Sequence, residues 1–201
     1  MKRVLAVTLA MVFVLSALSS GSALAQPKGA VQLGAGMATV SGSMIMEISW
    51  DVVTLHAAGM FFPSPAVALI VDFSFGLPHD YKMDTGSDPM KFTMESTYLD
   101  IMAGACKHFA DGGFLYASAG LAIGWSGLEI SDSEAEYEID TGIGFVVGAG
   151  AQIPIKDTFS GFAGIRQRYI STEFGSDETS LDLNAGGFEM VAGIAFTFGD
   201  Q

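Results

Sequence analysis

Strict alternation between bulky and small side chains is the feature that most constrains how this chain folds. In residues 141–155, TGIGFVVGAGAQIPI, apolar residues such as Ile143, Phe145 and Ile153 take the odd positions, and glycines take most even positions. A period of two residues is typical of a β-strand, whose successive side chains point to opposite faces. One face of this strand therefore carries bulky apolar side chains, and the other carries small ones.

The same alternation recurs along the chain and predicts an all-β fold. No stretch after residue 25 holds the ~18 uninterrupted apolar residues that a membrane helix needs. The pattern is strong in 66–77, 114–127, 141–155 and 188–198, and weaker in 31–40, 52–61, 97–109 and 159–172. The chain is thus predicted to form eight antiparallel strands.

The predicted connections alternate in length. Short segments rich in turn formers occur at 62–65, 110–113 and 156–158, whereas the longer polar segments are 41–51, 78–91, 131–140 and 175–184. This alternation predicts an up-and-down barrel with its short turns at one end and its long loops at the other.

The first 25 residues are predicted to be a cleaved signal peptide. Lys2 and Arg3 precede an apolar run over residues 4–18, and the small-residue site Ala23-Leu24-Ala25 follows. The alternative, a membrane-spanning helix, needs a longer apolar run. We therefore expect residues 26–201 to form a single exported domain.

Composition excludes several classes of function. Without Lys2 and Arg3, seven basic residues oppose 22 acidic ones, which disfavours nucleic acid as a partner. Cys106 is the only cysteine, so no disulfide within the chain is possible, and we interpret it as a small filler on a strand.

Two kinds of barrel fit this pattern. A transmembrane barrel carries its apolar face outward, with aromatic girdles at both membrane interfaces. A soluble lipocalin-type barrel would turn that face inward and expose the Gly, Ala and Ser face, which carries few charges. The membrane barrel is favoured, and the predicted girdle residues are Trp50 and Trp125 at one end, with Phe61, Phe62, Phe109, Phe114, Phe159, Phe196 and Phe198 at the other.

The strand pattern and the aromatic ending GFEMVAGIAFTF resemble the small outer-membrane barrels of the OmpA and OmpX type, the outer membrane protein β-barrel domain. The resemblance implies an outer-membrane location in a Gram-negative bacterium, lipid contacts, periplasmic termini and a monomer. It also implies recognition by the barrel assembly machinery, which reads the terminal aromatic. Here Gly199, Asp200 and Gln201 follow Phe198.

Charged residues also occur at positions that the alternation assigns to the interior. These positions predict a network of Asp72, Asp100, Arg166, Arg168 and Glu189, with the polar neighbours His56, His108, Gln32 and Gln152. A buried charge is costly unless it is paired, so the arginines should meet the carboxylates. Such a network is either a structural plug or a gate for small solutes.

Regularly spaced carboxylates in SDSEAEYEID are a weak candidate for divalent-cation binding; the alternative is a solvated acidic loop. The series continues the inner-face parity of Gly142 and comprises Asp132, Glu134, Glu136, Glu138 and Asp140. His79 is expected to be an ordinary loop histidine beside Asp80. No dedicated metal, cofactor or catalytic site is predicted.

Three hypotheses for function follow. The first is a non-enzymatic barrel that supports the envelope or interacts with extracellular partners through acidic loops. The second is a narrow channel or small-ligand carrier through the Gly-rich interior. The third is a lipid-modifying enzyme, although no local His and Ser pairing supports it. An interior enclosed by eight strands is barely wide enough for side chains, which favours the first.

Overall fold

The computed structural model describes residues 28–43, 47–83, 90–131, 136–176, 179–184 and 186–198. In this part of the chain no helix has the length and apolar character needed to cross a membrane. The described residues form nine strands: β1 Gly29–Ser43, β2 Glu47–Ser64, β3 Val67–Met83, β4 Met90–His108, β5 Phe114–Ser131, β6 Glu136–Lys156, β7 Phe159–Ser176, β8 Thr179–Asn184 and β9 Gly187–Phe198.

The strands close into an antiparallel barrel. Each strand from β1 to β7 pairs with the next, β7 also pairs with β9, and β9 returns to β1. The segments β8 and β9 keep one register against β7, because Ser171 pairs with Asn184 and Gln167 with Phe188. They therefore occupy a single position in the wall, and the prediction of eight strands is confirmed.

Tight turns collect at one end of the barrel, which we call the turn end. Residues 110–112 and 157–158 are turns, with Gly112 at φ 85° and Asp157 at φ 42°. Glycine adopts this left-handed region freely, and aspartate tolerates it better than most residues. The turn predicted at 62–65 instead lies at Pro65 and Ala66, because the strand alternation of β2 continues through Ser64.

At the opposite, hairpin end, the prediction of four long loops is wrong. The paired strands extend to Ser43 and Glu47, Met83 and Met90, Ser131 and Glu136, and Ser176 and Thr179. Residues 44–46, 84–89, 132–135 and 177–178 lie outside the described residues. A main-chain ladder needs no apolar side chains, so the strands continue after the apolar alternation has stopped.

The two faces of the wall are as predicted. Along β2, Val52, Thr54 and His56 are buried on the inner face, while the residues between them are exposed outward. The outer face carries the large apolar side chains, among them Leu121 and Ile143. This arrangement is the reverse of a water-soluble barrel.

The predicted aromatic girdle needs one correction. Phe61 is 54% exposed on the outer face, but Phe62 is only 5% exposed and Phe114 is 0% exposed. Phe62 and Phe114 occupy inner positions of their strands, so they fill the interior. Outer exposure is found for Trp125, Phe109, Phe196 and Phe198, Phe159 is half-buried, and the Trp50 side chain lies outside the described residues.

Candidate functional site

Aromatic side chains fill the interior at the turn end. The Phe62 ring lies edge-on to Phe114 at 5.1 Å and to His108 at 5.0 Å between centroids. Cys106 is buried beside them, with its Sγ 3.4 Å from His108 Nε2. The predicted interior residue His108 and the predicted filler Cys106 therefore belong to one packed layer.

A side-chain bridge crosses the interior above this layer. Gln32 on β1 donates from Nε2 to Oε1 of Gln152 on β6, at 3.3 Å. Both side chains are buried, and their strands are three positions apart around the wall. The bridge places polar atoms in the interior between these two strands.

The middle of the interior holds the charge cluster, which we define as Asp72, Asp100, Arg166, Arg168 and Glu189. Asp72 on β3 and Asp100 on β4 are direct register partners. Arg166 and Arg168 come from β7, and Glu189 on β9 is the register partner of Arg166. All five predicted residues are brought together because each occupies an inner position of its strand.

Arg168 makes the most extensive contacts in the charge cluster. Its Nε lies 3.1 Å from Oδ1 of Asp100, and its Nη2 lies 2.8 Å from Oδ2, which is a bidentate arrangement. Its Nη1 is 2.9 Å from Oε2 of Glu189. Bidentate guanidinium–carboxylate pairs are among the strongest hydrogen bonds in proteins.

Arg166 lies centrally among the three carboxylates. Its Nη1 donates to Oδ1 of Asp72 and lies 3.6 Å from both Asp100 Oδ2 and Glu189 Oε2. One guanidinium therefore reduces the repulsion between carboxylates that come from three different strands.

His56 on β2 extends the cluster to a fifth strand. Its Nδ1 lies 3.1 Å from Oδ2 of Asp72 and 3.3 Å from Nη2 of Arg166. A single nitrogen cannot both donate to the carboxylate and accept from the guanidinium. We assign its proton to the Asp72 contact, which is the shorter of the two and joins a donor to an anion.

Three polar side chains that the sequence analysis did not assign to the cluster support it. Thr54 donates to Oε1 of Glu189 at 2.7 Å, and Ser74 accepts from Nη2 of Arg168 at 3.1 Å. The Tyr98 ring lies 4.5 Å from the Arg168 guanidinium carbon, a cation–π contact. The inner-face parity identifies all three, although only Ser74 lies in one of the strongly alternating segments.

The burial of the cluster determines its chemical role. Asp72, Asp100 and Glu189 are fully buried, and both arginines are nearly so. Taking an unpaired charge out of water costs several kcal/mol, so each member needs the others. The cluster is therefore a cross-link between β3, β4, β7 and β9 in the interior of the barrel.

The other predicted site residues are placed as follows. Glu136, Glu138 and Asp140 belong to β6, whereas Asp132 and Glu134 lie outside the described residues. From Gly124 to Ser126, β5 advances two residues while β6 advances three, from Gly142 to Ile139. This bulge interrupts the parity that linked the acidic series to Gly142.

His79 lies in β3, so its prediction as a loop residue is wrong. Its position on the polar extension of the strand explains the error, because the apolar pattern stops before the ladder does. Among the described residues, no group of three or more His, Cys, Asp or Glu side chains is arranged to hold a metal ion.

Comparison with known families identifies this barrel. The model of the outer membrane protein beta-barrel domain matches residues 6–196. The chain belongs to this family. It is therefore an outer-membrane β-barrel of the Gram-negative kind, its outer face contacts lipid, and its inner face is the lumen. The soluble lipocalin-type alternative is thereby excluded.

Solved structures show the same fold at low sequence identity. The outer membrane protein OprG of Pseudomonas aeruginosa matches with a TM-score of 0.63 and 9% identity, over 86% of this chain and 97% of OprG. Neisserial surface protein A matches with a TM-score of 0.54 and 19% identity, over 85% of this chain and 97% of that one.

A third similar structure is Ail, the attachment invasion locus protein of Yersinia pestis, solved in complex with the heparin analogue sucrose octasulfate. Its TM-score is 0.51 at 14% identity, over 84% of this chain and 99% of Ail. No curated protein matches the sequence.

Proposed function

We propose that this protein is a non-enzymatic, monomeric envelope component whose lumen is sealed and whose hairpin end interacts with extracellular partners. The observation that carries the proposal is the charge cluster. It joins four strands across the lumen, between the Gln32–Gln152 bridge and the Tyr98 ring. A lumen filled in this way favours a rigid scaffold for the hairpins over a conduit.

The distribution of charge supports a surface role for the hairpin end. Most acidic residues lie in the sequence at or between the strand ends of that side, and Lys82 and Lys91 are the basic residues there. The exceptions are Asp72, Asp100 and Glu189 in the lumen, Asp111 and Asp157 at the turn end, and Asp200, which follows β9 in the sequence. Polyanions such as the heparin analogue in the Ail structure should be repelled, and cationic partners, including divalent cations, should be attracted.

The second candidate function is a narrow channel or small-ligand carrier. Glycines on the inner face of β6, among them Gly144 and Gly148, favour it because they keep that part of the interior free of large side chains. The contacts of the charge cluster argue against it, because a permeating solute would have to separate buried ion pairs.

Single-channel recording in planar bilayers tests this choice. We expect no stable openings from the wild-type protein, and discrete openings when all five residues of the charge cluster are replaced by alanine. A gel-mobility assay of heated and unheated samples checks that each variant is folded. Stable wild-type openings that Gly148→Leu abolishes would instead establish the channel.

We further propose that the turn end and both termini are periplasmic, and that residues 1–25 are removed. In a Cys106→Ala background, a membrane-impermeant maleimide added to intact cells should label Ser176→Cys at the hairpin end. It should label Asp157→Cys only after lysis. The reverse pattern would invert the orientation, and sequencing of the mature N-terminus should begin at Gln26.

Assembly at the outer membrane is proposed to depend on the aromatic end of β9. Phe198 is exposed on the lipid-facing side, and its carbonyl oxygen accepts from the Lys28 amide at 3.0 Å. Phe198→Ser should lower the amount of folded barrel in isolated outer membranes more than Phe188→Ser, which lies on the same face of β9. Equal losses would contradict recognition of the ending by the assembly machinery.

A further inference from the structure

The β3–β4 hairpin brings methionine and histidine residues to one face of the wall. His79 is the register partner of Met94, and Met83 is the register partner of Met90. Residues directly opposite each other in antiparallel strands share a face, and so do alternate residues along one strand. All four residues therefore lie on the same face of the hairpin. We call His79 with Met94, and Met83 with Met90, the soft-ligand pairs.

The soft-ligand pairs lie on the inner face of the barrel. The β4–β5 ladder runs from Lys91 to His108 without a register shift, so the even-numbered residues of β4 keep one face throughout. Ser96 and Tyr98 are buried in the interior, and Met94 continues their parity towards the hairpin end. The register shift on β3 brings His79 and Met83 into the same parity.

The next strands place ordinary apolar and aromatic residues at the corresponding positions. Leu128 and Ile130 on β5 are the register partners of Met94 and Phe92, and Leu128 is also the partner of Tyr137 on β6. Leucine or isoleucine would serve equally well if the methionines only filled space. An imidazole on an apolar face, in contrast, gains from a polar or metal partner. Three thioethers beside one imidazole therefore favour a role in ligand binding.

The two side-chain types select the same class of cation. Thioether sulfur favours soft ions such as copper(I), and imidazole also binds copper, whereas calcium and magnesium prefer oxygen ligands. The Cβ atoms of directly opposite residues are ~4.5–5.5 Å apart, so two such side chains can hold one ion between them. The excess of acidic residues at the hairpin end raises the local concentration of cations.

We propose that the inner face of the β3–β4 hairpin binds a soft monovalent cation, copper(I), through the soft-ligand pairs. Met83 and Met90, nearer the hairpin tip, meet the ion first. His79 and Met94, deeper in the barrel, hold it with one nitrogen and one sulfur ligand. This inference goes beyond the proposed function, because it requires neither a sealed lumen nor an extracellular protein partner.

Methionine methyl resonances locate the ion. The probe is silver(I), which has the ligand preferences of copper(I) without its redox chemistry. It is added as the nitrate to the full-length barrel in micelles, isotope-labelled at its methionine methyl groups, in a Cys106→Ala background that removes the thiol. We expect the resonances of Met83, Met90 and Met94 to shift. In a His79→Leu variant the shift of Met94 should be lost, while that of Met83 remains.

A second methionine pair provides the matched control. Met37 and Met190 are also direct register partners, but they are exposed on the lipid-facing side, with no histidine beside them on that face. Their resonances should stay unchanged on addition of silver(I). Shifts confined to this pair, or to Met60 and Met102 in the lumen, would overturn the inference.

Calorimetry with silver(I) tests the role of the sulfur atoms. Leucine conserves the volume and apolar character of methionine, so the fold should be retained, as gel mobility checks. Combining Met83→Leu, Met90→Leu and Met94→Leu should lower the affinity by ~10-fold or more. Combining Met37→Leu with Met190→Leu should not change it. Equal affinities for the two variants, or methyl shifts with calcium as large as those with silver(I), would contradict a soft-cation site.

Discussion

Asp72 and Asp100 lie directly opposite each other on β3 and β4, both fully buried, and the Arg166 guanidinium lies within 3.6 Å of the Asp100 carboxylate while it bonds to Asp72. Like charges opposite each other in adjacent strands destabilise a sheet. In the lumen this repulsion is offset by the two arginines that reach across from β7, with a further contact to Asp72 from His56 on β2. The pairing of β3 with β4 is therefore coupled to the far side of the barrel.

Removing Arg166 should strongly destabilise the barrel. Arg166→Met leaves three buried carboxylates facing Arg168 alone, so we expect a loss of about 3–5 kcal/mol in the free energy of unfolding. Urea titration of the barrel in micelles measures it. Lys156→Met at the exposed turn end is the control and should change stability by less than ~0.5 kcal/mol. A loss below ~1 kcal/mol for Arg166→Met would show that the cluster is not held by this residue.

The bidentate contact between Arg168 and Asp100 should be visible as coupling. In a double-mutant cycle with Arg168→Met and Asp100→Asn, we expect the two losses to be non-additive by ~0.5–3 kcal/mol, because each single change leaves a charge partner buried. The control cycle combines Arg168→Met with Asp111→Asn at the exposed turn end. The two losses should be additive there, because these residues are not in contact. Additivity within ~0.3 kcal/mol in the first cycle would contradict the contact.

Two glycines on the inner face of β6 should respond differently to a methyl group. A Cβ at Gly144 would overlap the Tyr169 carbonyl oxygen, whereas at Gly148 the nearest atom is 3.2 Å away. We expect Gly144→Ala to cost ~1–3 kcal/mol because main chain must move, and Gly148→Ala to cost less than ~1 kcal/mol. The same urea titration compares them. Equal costs would mean that the wall adjusts freely.

On the lipid-facing side, the loss of stability caused by a charged residue should depend on its depth in the bilayer. Leu121 and Leu115 are both exposed on the outer face of β5, but Leu115 is next to the turn end. Leu121→Arg should lose about 2–4 kcal/mol, and Leu115→Arg ~0–1 kcal/mol, since the charge at residue 115 reaches the interface. Unfolding from lipid vesicles is the appropriate measurement. A larger loss at residue 115 would contradict the placement of the barrel in the bilayer.

Period-two alternation made much of this structure predictable. It identified eight strands and their two faces, and it put Arg166, Arg168 and the three carboxylates on the inner face without any knowledge of register. What it could not give is which residues meet across the lumen. Asp72 contacts Arg166 because the strands close into a ring, a relation that no local pattern contains.

The errors in the predictions have physical causes too. Proximity to turns predicts that Phe62 and Phe114 belong to a girdle, but position relative to the pleat, rather than distance from a turn, decides which side an aromatic ring takes. The sequence predicts loops in place of the hairpin extensions because the alternation of apolar residues reflects contact with lipid. The main-chain ladder does not depend on that contact, so it continues where the alternation stops. The bulge in β6 is a one-residue event of the kind that alternation cannot detect.

The hydrogen bond from the Lys28 amide to the Phe198 carbonyl oxygen lies where β1 meets β9. It links the first and last described parts of the chain. Contacts between such distant positions carry the largest loop-closure entropy and form slowly. The ring cannot close on a nascent chain that lacks its last strand, however complete the earlier hairpins are. The last strand must therefore be present before the barrel can close, and the apolar outer face of the earlier strands needs protection until then.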